Sequence, residues 1–274
     1  MTTRTASGAV LPNLDTPRAR VLLAIGDDAL INGHRASHWT GVAPSLEEDL
    51  AFSTIAQGGI NHADLFYQLI LAEDHDGDLR TGVDAIGLGR EPHQYRHAIL
   101  CERPPRDFGY TLARHWITEH VDAVRLTALR DSSDAEVAAL AVKLLHELRY
   151  HLEHADHWYE RLARGGDEPR SRLRAGLADA LPEALGLFEP VPGEQEAVAR
   201  GLLPVGHQDL RERWLEGAAP MLTAVGFDDL VPGDEAAVPE RAAGGRRGHH
   251  TADFTEDVWP EMTALYRAHP GARW

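Results

Sequence analysis

The stretch His146-Glu147-Leu148-Arg149-Tyr150-His151-Leu152-Glu153-His154 gathers two carboxylates and three imidazoles on successive helical turns. Two-metal carboxylate centres in helical bundles take one Glu from each of two helices and a Glu-x-x-His pair from each of two others. Here the carboxylate is Glu147, but the position three residues on is Tyr150 rather than His. Leu112, Trp116, Glu119 and Ala123 share one helical stripe, as do Leu140, Leu144, Glu147, His151, His154 and Trp158. Glu119 and Glu147 are therefore expected to point inward across neighbouring helices. Asp28, in line with Val21 and Ile25, is a candidate third acid, although solvent exposure or its neighbour Asp27 accounts for it equally well.

The segment that should complete the ligand set reads Gln57-Gly58-Gly59-Ile60-Asn61-His62. Gly58 and Asn61 stand where a Glu-x-x-His pair belongs and supply neither charge nor imidazole. The set Asp28, Gly58, Asn61, Glu119, Glu147, Tyr150 and His151 thus reads as a degenerate former metal site, with His151, Tyr150 and Arg149 relieving buried acids. No catalytic residue, bound cofactor or metal is expected in this chain. The competing reading is an autonomous di-metal oxidase or oxygenase using Asp28, Glu119, Glu147 and His151. It requires ligands at i and i+4 and a contribution from the second helix that the sequence does not offer.

Other reactive residue types have plainer explanations. His151, His154 and His157 recur every three residues and drift by about 60° per step around a helix, so they do not converge on one ion. Arg246-Arg247 and His249-His250 lie in a Gly-rich stretch; a surface turn is the simpler reading, a contact to an acidic partner the alternative. Cys101 follows Leu100 and precedes Glu102, with no evident activating cation, and reads as an inert thiol.

These residues need long helices to position them, and helical periodicity dominates the chain. A first helix is expected from about Pro17 to Trp39, and a second from Ser45, followed by Glu47 and Glu48, to about Glu73. Asp74 to Pro105 forms a long connection, with one short helix near Gln94 to Ile99. A third helix spans about Asp107 to Leu129. The Asp131-Ser132-Ser133-Asp134 run caps a fourth, which continues to about Arg164 and ends at Gly165-Gly166. Two helix pairs joined by a long crossover predict an all-α, ferritin-like four-helix bundle over about 17–164. Appended helices are expected over about 168–274, near Glu168 to Leu187, His207 to Val225 and Phe254 to Ala268, the last kinked or delayed by Pro260. Residues 1–14 are expected as a disordered leader and 15–274 as a single domain.

Bulk composition narrows the partners. With 27 basic against 43 acidic residues the net charge is -16, which disfavours nucleic acid and anionic membranes. No stretch has the length of a membrane span, and the N-terminus lacks the apolar core of a secretion signal, so a cytoplasmic protein is expected. Lys143 is the single lysine, and no phosphate cradle for a coenzyme A thioester is evident.

Several runs, in order, resemble a known family. They are Gly26-Asp27-Asp28-Ala29-Leu30-Ile31, His34-Arg35, Trp39, Ala43-Pro44 with Leu46-Glu47-Glu48-Asp49, and Glu147-Leu148-Arg149-Tyr150-His151. Near the C-terminus follow Gly244-Gly245-Arg246-Arg247-Gly248-His249-His250-Thr251 and Ala268-His269-Pro270-Gly271-Ala272-Arg273-Trp274. Together they resemble the C subunits of phenylacetyl-coenzyme A epoxidase complexes. The resemblance implies a ferritin-like, non-catalytic subunit of a bacterial monooxygenase in aerobic phenylacetate breakdown. It implies pairing with a catalytic A subunit that holds the di-iron centre, and a bridging B subunit. A reductase with FAD and an iron-sulfur cluster would bring electrons from NADPH. The chain departs from the family pattern at Gln57 to His62, which replaces a more aliphatic, aspartate-containing stretch, and at Pro260. An isolated chain is expected to expose apolar patches and self-associate.

Overall fold

The computed structural model describes residues 3–4, 10–72, 78–233, 236–269 and 272. The fold is all-α, with helices α1 (Pro17–Ser37), α2 (Leu46–Leu71), α3 (Leu79–Leu88), α4 (Ile99–Glu102) and α5 (Phe108–Leu129), followed by α6 (Ala135–Ala163), α7 (Asp167–Ala184), α8 (Glu194–Ala199), α9 (His207–Ala224) and α10 (Trp259–Ala268). The order is that of a ferritin-like bundle: two long helical hairpins, α1–α2 and α5–α6, separated by a long crossover and followed by additional helices.

Local chemistry sets the helix starts. The Thr16 hydroxyl accepts from the Ala19 N–H at 3.0 Å, with Pro17 in the first turn, where a missing N–H costs nothing. Ser45, Asp107 and Asp134 cap α2, α5 and α6 in the same way. Pro260 falls in the first turn of α10, which continues directly from a π-helical segment over Asp253–Val258, so the irregularity expected at Pro260 appears as a π-helical turn just before it.

Thr3–Arg4 pairs antiparallel with Val10–Leu11, and Leu11 is buried; the rest of the expected leader before it, residues 1–2 and 5–9, lies outside the described residues. Two expectations change. The crossover carries α3, capped by Asp78, and its short helices lie on either side of residues 95–98 rather than across them. The Gly-rich Gly244–Gly248 stretch is not a surface turn, because Gly245 and Arg246 are buried.

The chain divides into two compact units, residues 1–104 with 191–197 and 244–274, and residues 105–190 with 198–243. In the first unit α1 and α2 pack antiparallel at backbone contact. A Cβ on Gly33 would lie 2.9 Å from the Ala56 carbonyl oxygen, and one on Gly59 would lie 2.9 Å from the Ala29 carbonyl oxygen. Gly33 and Gly59 make this close approach possible, which offsets the helix-weakening cost of Gly59. Phe52, Phe66, Tyr67, Tyr95 and Phe254 fill the core. In the second unit α5 packs on α6, α7 and α9, with Trp116 stacked on Tyr159 at 4.6 Å and Trp214 fully buried.

Candidate functional site

Asp27 and Asp28 are neighbours in α1 and both are buried. Successive helical positions diverge by about 100°, so the two carboxylates need separate counter-charges. Arg90 answers Asp27, with Nη1 at 3.0 Å from Oδ2 and Nη2 on Oδ1. The Tyr67 hydroxyl donates to the same carboxylate at 2.6 Å and the Arg96 N–H at 2.7 Å. Burial works against the Arg90 charge, but Asp27 outweighs it and raises its pKa further.

Arg246 answers Asp28, with Nη1 at 2.9 Å from Oδ1 and Nη2 at 2.8 Å from Oδ2. The Ala98 N–H donates to Oδ1 at 2.8 Å, and the buried Cys101 thiol lies 3.5 Å from it. Gly244 and Gly248 adopt left-handed φ of 98° and 80°, which a side chain would resist. Any Cβ on Gly245 would collide with the His97 carbonyl oxygen. The glycines thus let the chain press onto residues 93–99 and insert Arg246, which also donates to the carbonyls of Ala24 and Arg96.

Beside this pair, Glu102 is the hub of a third buried group. Its Oε1 accepts from the N–H and hydroxyl of Thr251, both at 3.0 Å, and its Oε2 lies 3.0 Å from His97 Nε2. The His97 and His250 rings stack at 4.0 Å. Burial, then the neighbouring His250, lowers His97 to about 4, so it is a neutral donor at pH 7. Burial alone would raise Glu102, but the His250 and His97 imidazoles overcome it and bring the carboxyl down to about 2. Arg35 donates twice to the Glu102 carbonyl, at 2.9 and 2.7 Å, and once to Asp257 at 2.7 Å. His97, Glu102 and His250 bring three ligand-type atoms within 4.8 Å, but Glu102 is spent on internal hydrogen bonds and closed to solvent. The arrangement fits a polar core better than an open metal site.

In the second unit, Glu119 is buried on α5. His115 Nδ1 lies 3.2 Å from its Oε1, and His151 Nδ1, from α6, 3.5 Å from its Oε2. Burial favours the neutral acid, yet these imidazoles hold the carboxyl well below the usual range, and Glu119 in turn outweighs burial to raise His151. His154 lies 3.4 Å from His115, and His157 is exposed.

The seven positions of the expected former site therefore fare differently. Asp28, Glu119 and His151 are inward, as their stripes require. Glu147 is a correction: it is half-exposed, 4.0 Å from Lys143, because the buried stripe of α6 runs through Leu144, Leu148, His151 and Ala155. Tyr150 is 54% exposed, so it does not occupy an inward ligand position. Gly58 is half-buried and Asn61 exposed. A di-iron centre does not fit these residues: Asp28 already faces a guanidinium that cannot deprotonate, and Glu147 points away. Sequence reasoning passed over Arg90, His97, Glu102 and the buried role of Arg246. The signal for two of them was the Asp27-Asp28 pair on an apolar helix, which demands two cations.

All-α order and ion pairs sealed within helices define a ferritin-like protein whose inward acids are matched by its own side chains. The chain belongs to the phenylacetic acid catabolic protein family, whose model matches residues 1–274. It is similar to the C subunit of the 1,2-phenylacetyl-CoA epoxidase of Escherichia coli (strain K12), with 28% identity over 253 residues, covering 92% of this chain and 97% of the relative. No helix among the described residues is long and apolar enough to cross a membrane.

Proposed function

We propose that this chain is the non-catalytic structural subunit of a cytoplasmic phenylacetyl-CoA epoxidase, paired with a di-iron A subunit that it stabilises. The observation that carries this reading is the state of the acids. Asp28 is matched by Arg246, Glu119 by His115 and His151, and Glu147 leans toward Lys143 at the surface. None of the three is left as a free, inward ligand, and Gly58 and Asn61 supply none. Iron, FAD, the iron-sulfur cluster and NADPH oxidation then belong to the partners, including the bridging B subunit and the reductase.

An outward stripe of α2 supports a helical partner. Leu46 and Leu50 are 70% and 61% exposed, the exposed Val42 precedes them, and the exposed Ile60 lies on the same helical face further along. Packing against the A subunit would remove this apolar surface from water.

Co-expression with an A-type subunit should yield one species on a sizing column, active on phenylacetyl-CoA once B subunit and reductase are added. Leu46→Asp with Leu50→Asp should separate the two while leaving the helicity of this chain intact. Persistent separation of the unmodified chains would reject the reading. About two irons per isolated chain, lost in Glu119→Ala, would favour the autonomous oxidase instead.

A further inference from the structure

We infer that His34, His38 and Glu261 form a binding site for a divalent cation of the zinc type, clipping the C-terminal helix to the end of α1. His34 lies in the last turn of α1 and His38 at its cap, still in helical conformation, so the i, i+4 spacing sets both rings on one face. Glu261 comes from the first turn of α10, in the same compact unit.

Both Nε2 atoms are shut off from solvent and form no hydrogen bond. Each nevertheless faces one and the same carboxylate oxygen, Glu261 Oε2, at 3.4 Å from His34 and 3.3 Å from His38. Two unbonded Nε2 atoms converging on one oxygen at this range leave the position of a cation that takes a lone pair from each. The spacing also fits the ion. Bonds of about 2.0–2.1 Å to a tetrahedral zinc place neighbouring ligand atoms about 3.3 Å apart. An octahedral ion with the same bond lengths would require about 3.0 Å.

The donor set suits this class, since two neutral imidazoles and one carboxylate leave a fourth position for water. Burial, with His38 next to it, lowers the His34 pKa and keeps its lone pair available at neutral pH. Arg35, the adjacent cation, is itself paired with Asp257. The Glu261 side chain, which covers the two buried Nε2 atoms, is 57% exposed, so its outward swing admits an ion without unfolding the helix. In contrast to His97, Glu102 and His250, no residue here is consumed by a network of internal hydrogen bonds.

The test is titration of the metal-free 274-residue chain with Zn²⁺ alone, followed by calorimetry, and with Co²⁺, whose visible spectrum reports geometry. One ion per chain, a tetrahedral cobalt spectrum and a zinc-dependent rise in Tm are expected. His38→Gln and Glu261→Gln, both near the surface, should each weaken zinc affinity by more than about tenfold while leaving the metal-free Tm in place. His157→Gln, on the exposed face of α6, should change nothing. Zinc binding unaltered by the first two variants, an octahedral cobalt spectrum, or dissociation constants above about 1 mM would each overturn the inference.

Discussion

Arg246 reaches Asp28 from 218 residues further along the chain and engages both carboxylate oxygens. Removing one partner of a buried pair strands the other charge, which typically costs about 3–5 kcal/mol. Asp28→Asn and Arg246→Met should each lower unfolding stability by that order in urea titrations. Arg246→Lys should recover little, because a point charge cannot reproduce the two-pronged contact. The double variant Asp28→Asn with Arg246→Met should be more stable than the sum of the single losses predicts.

Acid should loosen the first unit in two stages. His97 titrates at about 4 when folded against 6.5 ordinarily, so between these values the unfolded chain binds a proton that the folded chain refuses. Its contribution is complete above pH 6.5 and is lost as the pH falls toward 4. Glu102, held at about 2 against 4.5, adds a second loss from pH 4.5 downward. The first stage should amount to about 2 kcal/mol, read as the fall in unfolding free energy from pH 7 to pH 4.5. His34 titrates in the same direction and His151 in the opposite one. The part of the slope that disappears in His97→Gln isolates His97.

Glu119 and His151 should titrate as partners. Because Glu119 raises His151, the stabilisation from this imidazole is present below pH 6.5 and fades as the pH rises through its folded value. Replacing Glu119 with Gln should lower the His151 midpoint in an NMR titration of the ring protons. The same variant should cost about 2 kcal/mol at pH 6. An unchanged midpoint would remove Glu119 as the cause.

Glu147 and Tyr150 should tolerate change. Glu147→Ala is expected to alter stability by less than about 0.5 kcal/mol, as for a surface pair. Tyr150→His restores the Glu-x-x-His spelling but sets the imidazole on the exposed side of α6, so iron content should not rise. Metal analysis after growth in iron-supplemented medium checks this directly.

The residues differ in how much they disclosed as sequence. Thr16-Pro17, Ser45, Asp107 and Asp134 mark helix starts through short-range hydrogen bonds, and such signals are local by nature. Helix α3 escaped because Gly82 and Gly87 lower its propensity, and packing against α2, Val10–Leu11 and α10 compensates. After Leu144 the apolar stripe of α6 can continue at Glu147 or Leu148, three or four residues on. Packing chooses Leu148. Asp28 was legible as inward, but Arg246 was not legible as its partner, because a Gly-rich run has the composition of an exposed turn until its carbonyl contacts are known. His97 lies in irregular chain and Glu102 ends the four-residue α4, both too short of a period to point to a face.

The return of residues 244–250 to α1 also sets an order of events during synthesis. Asp28 leaves the ribosome early, whereas its guanidinium follows more than two hundred residues later. Until then the nascent first unit holds a carboxylate that it cannot seal inside. Its final packing therefore waits for the second unit to be translated, and a partner arriving before that point would meet an unfinished surface.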